Sequence, residues 1–579
     1  MKLITNSVYV ILLALITLTA CKKDKKIDTT TVVDTGNGGA TGPITSPTDP
    51  GIAVSQGFFL DSWQAKTFTK PATQSVAKPT ASSITVTADF AQVVSKVSKN
   101  LFGNNMNPFT GQYTDAGLVK NITNLSPNII RAPGGSLSDV YFYDLPAGGT
   151  PADVPAQLLK ADGTADPATG YWSGLLTDSW SISLSNYYSL LQKTNSTGII
   201  TVNYGYARYG LSDHPVETAA HYAAQWVRND KGRTQLWEVG NENFGNWEAG
   251  YRIDVSKNKD GQPEILTGQL YGTHFKVFAD SMRKAAGDIG ATIKIGVVLT
   301  DVDDQNNSVG VQNWNSGVLS AAGSSPDFFV VHNYYTPYNQ NSTPEVILAT
   351  PSAVTASMLN WVNSSVQKAG VAPKPVAMDE WNIFAAGSRQ QVSYVNGVHA
   401  VLVLGELIKN QVSMACRWDL ANGGSDGNDH GLFTYQQDGT ANFTPRPAFY
   451  YLYYFQKYFG DRMISSAVTG STDIVSYASS FTSGEAGVTL INKGSTDKVV
   501  NINFKNYYTG SNYCYYTLKG GTDNGLYSGK VTINNNGPVG DVGGPSNYAT
   551  LAANSLVTSG GITVNVPARG VVFLVCDKK

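Results

Sequence analysis

The sequence predicts an α/β fold, a (β/α)8 TIM barrel with a C-terminal all-β sandwich domain, on three observations. From about Lys99, eight short runs rich in Val, Ile, Phe and Trp alternate with segments of helical spacing. Runs that are apolar throughout belong to parallel strands buried on both faces, and eight of them suit closure into a barrel. Beyond Asp461 the pattern changes to alternation of period two ("VVNINF", "GKVTINN", "ITVNVPARGVVFLV") between Gly, Asn and Ser turns, as in a sandwich. A doubly wound open sheet is disfavoured, because no run leads into a GxGxxG or GxxxxGK[ST] loop.

The elements follow in chain order. Residues 1–20 read as a lipoprotein signal peptide: Met1-Lys2, an apolar stretch from Val8 to Leu18, then Leu18-Thr19-Ala20 before Cys21. That stretch is shorter than the roughly 20 residues of a spanning helix. Cys21 is the expected lipidation site, which makes the chain an exported bacterial lipoprotein of the outer membrane, on its periplasmic face or at the cell surface. Residues 21–56 are a Thr/Gly/Pro-rich flexible tether. Residues 57–97 hold N-terminal strands that could join the sandwich. The barrel occupies 98–460, its strands expected at "NLFGNN", "NIIRAPGG", "GIITVNYG", "QLWEVGNE", "IKIGVVLT", "DFFVVHNYY", "PVAMDEW" and "VSMACRWDL", and the sandwich 461–579.

Composition narrows the function. The formal net charge is −2, with no long basic stripe outside the extreme N-terminus, which excludes a nucleic-acid footprint. Charged residues make up 15% and tyrosines number 31, a balance suited to neutral polar ligands such as carbohydrate. Six histidines form no HExxH and no close pair, so no metal and no cofactor is expected. "DVDDQNNSVG" and "GGSDGNDHG" resemble calcium loops only loosely and read as barrel-top loops. Cys416, Cys514 and Cys576 are expected as buried small hydrophobes, although Cys514 and Cys576 could pair.

In a (β/α)8 barrel the active site stands at the C-terminal ends of the strands. Those ends carry Asn105, Arg131, Asn203, Asn241 with Glu242, His332 with Tyr334 and Tyr335, Glu380 with Trp381, and Trp418. Glu242 closes the fourth run and Glu380 the seventh, on opposite sides of a barrel mouth. Hydrolysis of a glycosidic bond with retention needs such a pair about 5–5.5 Å apart. Arg131 could keep Glu380 ionised as nucleophile, while the second carboxyl raises the pKa of Glu242 as acid. His332 and Tyr334 or Tyr335 could hold the nucleophile or sugar hydroxyls, and Asn241 could donate to a ring hydroxyl. Asn105 and Asn203 complete the polar lining, and Trp247, Trp381 and Trp418 offer faces for sugar stacking. Glu238, deeper on the fourth strand, reads as a structural partner of a buried arginine.

"RAPGG", "TVNYG", "WEVGNE", "VVHNYYT" and "MDEWN" occur in the order and approximate spacing of the α-L-arabinofuranosidases of glycoside hydrolase family 51, which the chain resembles over about Leu101 to Gly460. Asn-Glu at the fourth strand with Glu at the seventh is the signature of a wider clan of (β/α)8 retaining glycosidases. The resemblance implies Glu242 as acid/base, Glu380 as nucleophile, Asn241 and Arg131 in support, and an α-L-arabinofuranoside in plant or algal polysaccharide as substrate. The chain departs from the family at "GNNMN", where an acidic residue is usual, and in the loop "NFGNWEAGY". Another activity of the clan (xylanase, glucanase or agarase) and a non-catalytic lipid-anchored polysaccharide-binding protein are the alternatives. No oligomeric interface is legible.

Overall fold

The structure, a computed structural model, describes residues 42–80, 82–126, 129–303, 311–423, 430–437 and 439–579. The expected signal segment, Cys21 and the tether as far as residue 41 lie outside them, as do parts of the two loops compared with calcium sites.

Eight parallel strands close into a barrel: Gly103–Asn105, Ile129–Ala132, Thr197–Val202, Leu236–Val239, Lys294–Val298, Phe328–Tyr334, Val376–Asn382 and Met414–Arg417. They follow one another around the barrel in chain order, and each falls in one of the eight apolar runs. Burial on both faces explains why the runs are apolar throughout. Ile129, Ile199, Phe328, Val330, Ala377, Met414 and Cys416 point inward and fill the lower barrel, where Phe59 of the short helix Gly57–Leu60 plugs them from below. The alternate residues Ile130, Ile200, Trp237, Val297, Val331 and Met378 pack outward in the core shared with the helices. Filling the lower barrel with apolar side chains leaves the polar inward positions for the upper layers, where chemistry is done.

The second unit is an eleven-stranded sheet rolled around its own core. The strand Thr85–Lys96 belongs to this sheet, pairing antiparallel with Arg462–Thr469 and parallel with Lys498–Lys505. The chain therefore begins the sheet, leaves to build the barrel, and returns to finish it. The outer face of the sheet packs on barrel helices: Tyr454 stacks with Phe573, and Tyr477 donates to Glu406 at 2.8 Å. Cys514 pairs in the ladder with Val575 and Cys576 with Tyr513, so the two cysteines face opposite sides of the sheet. All three described cysteines are free and buried, and the disulfide considered for Cys514 and Cys576 is not formed.

The tether expected over 21–56 extends too far. Asp49 makes two bonds to Arg462 at 2.6 and 3.0 Å, and the Gln56 amide donates to Ser95 and Ser413, both at 3.0 Å. Few apolar residues are needed to hold such a segment when its polar groups find buried partners. No described helix is long and apolar enough to cross a membrane.

Candidate active site

Arg131 organises the upper barrel. It ends the second strand, points inward and is fully buried. Its guanidinium donates to Glu238 Oε2 at 2.8 Å, Asn105 Oδ1 at 3.0 Å, Glu380 Oε2 at 3.0 Å and Asn241 Oδ1 at 2.8 Å, and lies 3.6 Å from Asp379. Burial alone would lower its pKa, but the surrounding carboxylates of Glu238, Asp379 and Glu380 more than reverse this. A planar fork of donors suits such a set better than a point charge would. Glu238, also held by the Thr201 hydroxyl at 2.8 Å, is raised to about 7 by burial against the pull of Arg131.

Glu380 and Glu242 meet above this layer. Glu380 Oε2 faces Arg131, and Oε1 accepts from the Tyr334 hydroxyl at 2.7 Å. Glu242 stands just past the fourth strand with φ 42°, a left-handed conformation that non-glycine residues adopt at a cost. The turn that presents it requires Gly240: φ is 76°, and a Cβ would come within 2.0 Å of Asn243 and 2.7 Å of Tyr204. Glu242 Oε2 accepts from the Trp247 indole at 3.2 Å, and Oε1 lies 2.9 Å from His332 Nδ1. A carboxylate oxygen of Glu242 and one of Glu380 lie within 4.8 Å of each other.

The charge split differs from the sequence expectation. Burial works to keep Glu242 neutral, but the His332 ring and the Trp247 N–H outweigh it and hold the carboxyl below its usual range. Burial and Glu242 push Glu380 upward against His332, Arg131 and Tyr334. His332, despite burial, is held well above the ordinary histidine value by Glu380, Asp379 and Glu242. The charges around the resting site thus favour a proton on His332, whose Nε2 is 3.2 Å from Asp379, over one on Glu242.

Asp379 escaped the sequence reading, and the reason is a bulge. Between the pairs Val330–Ala377 and His332–Glu380 the sixth strand advances two residues and the seventh three. The same extra residue appears against the eighth strand, between Met378–Ala415 and Trp381–Arg417. One surplus residue lets consecutive carboxylates, Asp379 and Glu380, both reach the interior. Trp381 then faces outward, fully buried beside Leu101, Leu404 and Leu452, and offers no sugar face. Tyr335 also turns outward, its hydroxyl on Thr355 at 2.8 Å and its ring against His399.

Several expected contacts are committed elsewhere. Asn105 donates to the Asp379 carbonyl at 2.8 Å besides accepting from Arg131, so it braces the site. Asn203 donates to Tyr209 and the Tyr141 carbonyl, and accepts from the Tyr206 backbone, holding the turn after the third strand. Asn241 accepts from Arg131 and donates to Glu248 Oε1 at 3.0 Å. Glu248, which also accepts from Ser136, is raised well above its usual value by burial, Asp139 and Glu242. Asp139 accepts from the backbone N–H groups of Tyr204, Gly205 and Asn241 and from Asn243; burial lifts it to about 7. Neither residue lies in a periodic run, which left no signal beyond an acid in a polar loop. Trp418 and Trp247 do stand at the mouth: Trp418 lies against Gly134 and Gly135, and Trp247 is 54% exposed.

Two triads among the described residues bring ligand-type atoms within 4.8 Å, Glu238–His332–Asp379 and Glu242–His332–Glu380. Arg131 is bonded to a carboxylate of each, so a fixed positive charge already stands beside both.

No family model and no curated protein sequence matches the chain. Solved structures do. The α-L-arabinofuranosidase of Thermotoga maritima, solved with arabinose, is 15% identical over 85% of this chain and 99% of its own, with a TM-score of 0.57. A family 51 α-L-arabinofuranosidase of Bifidobacterium longum is 14% identical over 86% and 100%, with a TM-score of 0.59. A family 44 xyloglucanase of Paenibacillus polymyxa is 13% identical over 86% and 100%, with a TM-score of 0.52. What is shared is the fold. The neighbours match this chain as barrel and companion sheet together.

Proposed function

We propose that the chain is a retaining glycoside hydrolase acting on plant or algal polysaccharides or oligosaccharides, with Glu380 as nucleophile and Glu242 as acid/base. The observation that carries this reading is the pairing of the two carboxylates at the ends of the fourth and seventh strands, an oxygen of each within 4.8 Å of the other, as the close carboxyl pair of a double displacement requires. Glu380 attacks the anomeric carbon, guided by Arg131 and Tyr334, while the leaving oxygen takes a proton from Glu242. His332 Nδ1, 2.9 Å from Glu242, supplies that proton to the carboxyl as the sugar displaces the resting charge arrangement. Once the leaving alcohol has gone, water gives a proton to Glu242 as its oxygen bonds to the anomeric carbon, and the bond from that carbon to Glu380 breaks, freeing the carboxylate. Trp247 and Trp418 offer ring faces on the two sides of the mouth.

The preferred substrate is an α-L-arabinofuranoside, in keeping with the family 51 motifs and the arabinofuranosidases among the fold neighbours. A β-glycanase activity is the second reading. It is favoured by the stretch "GNNMN" at the end of the first strand, where Asn104, Asn105 and Asn107 stand in the region in which the family usually carries an acid. The test is turnover of an aryl glycoside panel by the chain lacking residues 1–21, beside Glu380→Ala. Arabinofuranoside cleavage abolished in the variant supports the first reading; cleavage of another sugar with the same loss supports the second. No hydrolysis of any aryl glycoside or polymer sinks both. We also read Cys21 as the lipidated residue of an outer-membrane lipoprotein. Cys21→Ser should move the protein from the membrane pellet to the soluble fraction, and an unchanged pellet refutes the anchor.

A further inference from the structure

A second feature at the same end of the barrel is an open cleft of about 490 Å³. Its lining comes from residues 111–115 after the first strand, 179–180 in the insert after the second, and 435–436 with 442–443 after the eighth. Strands eight, one and two are neighbours in the barrel, so these connections converge beside the mouth.

The cleft has an aromatic floor and an amide rim. Tyr435 and Phe443 lie 5.9 Å apart at 31°, and Tyr113 meets Phe443 edge-on at 5.8 Å. Trp180 forms one wall; it is 41% exposed and braced edge-on by Trp172 at 5.7 Å. Gln112 is anchored by the Thr177 carbonyl at 2.7 Å, and the Asn442 carbonyl oxygen by the Gln436 N–H at 2.7 Å. Gly111 makes the room: at φ 88°, a Cβ there would come within 3.1 Å of the Tyr435 ring and 3.2 Å of Phe443. The one acid in the lining, Asp115, is engaged in capping the helix Ala116–Asn124 through the Leu118 N–H at 2.8 Å.

The exposed Trp180 ring, standing over the buried rings of Tyr113 and Tyr435 and bordered by amides, selects a ligand with apolar C–H faces and uncharged hydroxyl edges. An anionic ligand finds no positive side chain in the lining, and the single acid is spent on the helix cap. Cleft and mouth share one frame: Gly111 donates to the Trp180 carbonyl at 3.0 Å, Thr110 to the Asn107 carbonyl at 3.1 Å, and Asn107 to Asp419 beside Trp418. We propose that this cleft is a remote glycan-binding site that holds a neutral oligosaccharide segment of the same polymer whose bond is cut between Glu242 and Glu380. The continuity with the mouth rests on the glycosidase reading; the sugar-binding chemistry of the cleft does not.

The test uses Trp180→Ala and Gln112→Ala, both outside the carboxylate cluster. Affinity electrophoresis of Glu380→Ala through gels containing arabinan, xylan or xyloglucan should show retardation, weakened about tenfold or more when Trp180→Ala is added. In the active chain, Trp180→Ala should lower kcat/KM on the retarding polymer by about tenfold and leave the aryl glycoside within about twofold. Gln112→Ala should weaken retardation less. Unchanged retardation in Trp180→Ala, equal losses on polymer and aryl glycoside, or no retardation by any of the three polymers overturns the proposal. Retardation that depends on Trp180 in a chain that hydrolyses nothing would uphold the cleft while the glycosidase reading falls.

Discussion

The Tyr334 hydroxyl donates to Glu380 Oε1 at 2.7 Å, and Tyr334→Phe removes that bond alone. The ring itself stays, because it stacks on Phe384 with centroids 4.3 Å apart at 14°. A hydrogen bond to an ionised group contributes about 1.5–3 kcal/mol, and about 1.4 kcal/mol corresponds to one pKa unit. The bond favours the carboxylate over the acid, so its loss raises the pKa of Glu380 by about one to two units. That adds to the upward push Glu380 already receives from burial and Glu242. The assay is kcat/KM against pH on an aryl glycoside, which reports ionisation of the free enzyme. Activity requires ionised Glu380, so the acid limb of the profile should move to higher pH by about one to two units. The loss should therefore be greatest on the acid side and smaller on the plateau. An acid limb that stays in place while the plateau falls would mean that the hydroxyl serves the sugar and not the carboxylate, and the reasoning fails.

Glu242→Ala should lose about 10²–10⁴-fold in rate, least on substrates with good leaving groups, with partial recovery in azide; equal losses across leaving groups would remove Glu242 from the acid role. Arg131→Met strands the buried carboxylates of Glu238, Asp379 and Glu380 without their counter-charge, and breaking such a set costs about 3–5 kcal/mol. Urea unfolding should show that loss, with Arg131→Lys intermediate, and a change below about 1 kcal/mol would show that the cluster re-pairs without its arginine.

The eight barrel strands were legible because each is buried on two faces, and a run such as "GIITVNYG" has no other reason to be apolar throughout. Arg131, Glu242 and Glu380 were legible because they end such runs in polar groups. Strand parity separates the remaining aromatic residues. Tyr334 faces in and Tyr335 out, Glu380 in and Trp381 out, and reading neighbours together as site residues ignored that alternation. Asp379 shares the parity of Ala377, but taking Glu380 as the inward residue sets Asp379 outward; only the bulge in pairing with the sixth and eighth strands lets both face in. Asp139 and Glu248 sit in irregular connections, where position depends on hydrogen bonds to Tyr204, Gly205, Asn241 and Ser136 and not on any repeat. The upward shift of His332 was equally out of reach: it depends on three carboxylates, Asp379 and Glu380 on the seventh strand and Glu242 on the turn after the fourth.

The surplus residue in the seventh strand makes the chemistry of this barrel depend on a count. Upstream of it the ladder runs Ala377 in, Met378 out; downstream Trp381 lies out again, and between them two acids occupy the space of one. Removing a single residue there would restore ordinary alternation, with Trp381 still outside and room for only one inward acid between Met378 and the indole. The length of the strand, and not only the identity of its residues, therefore sets how many carboxylates reach the interior.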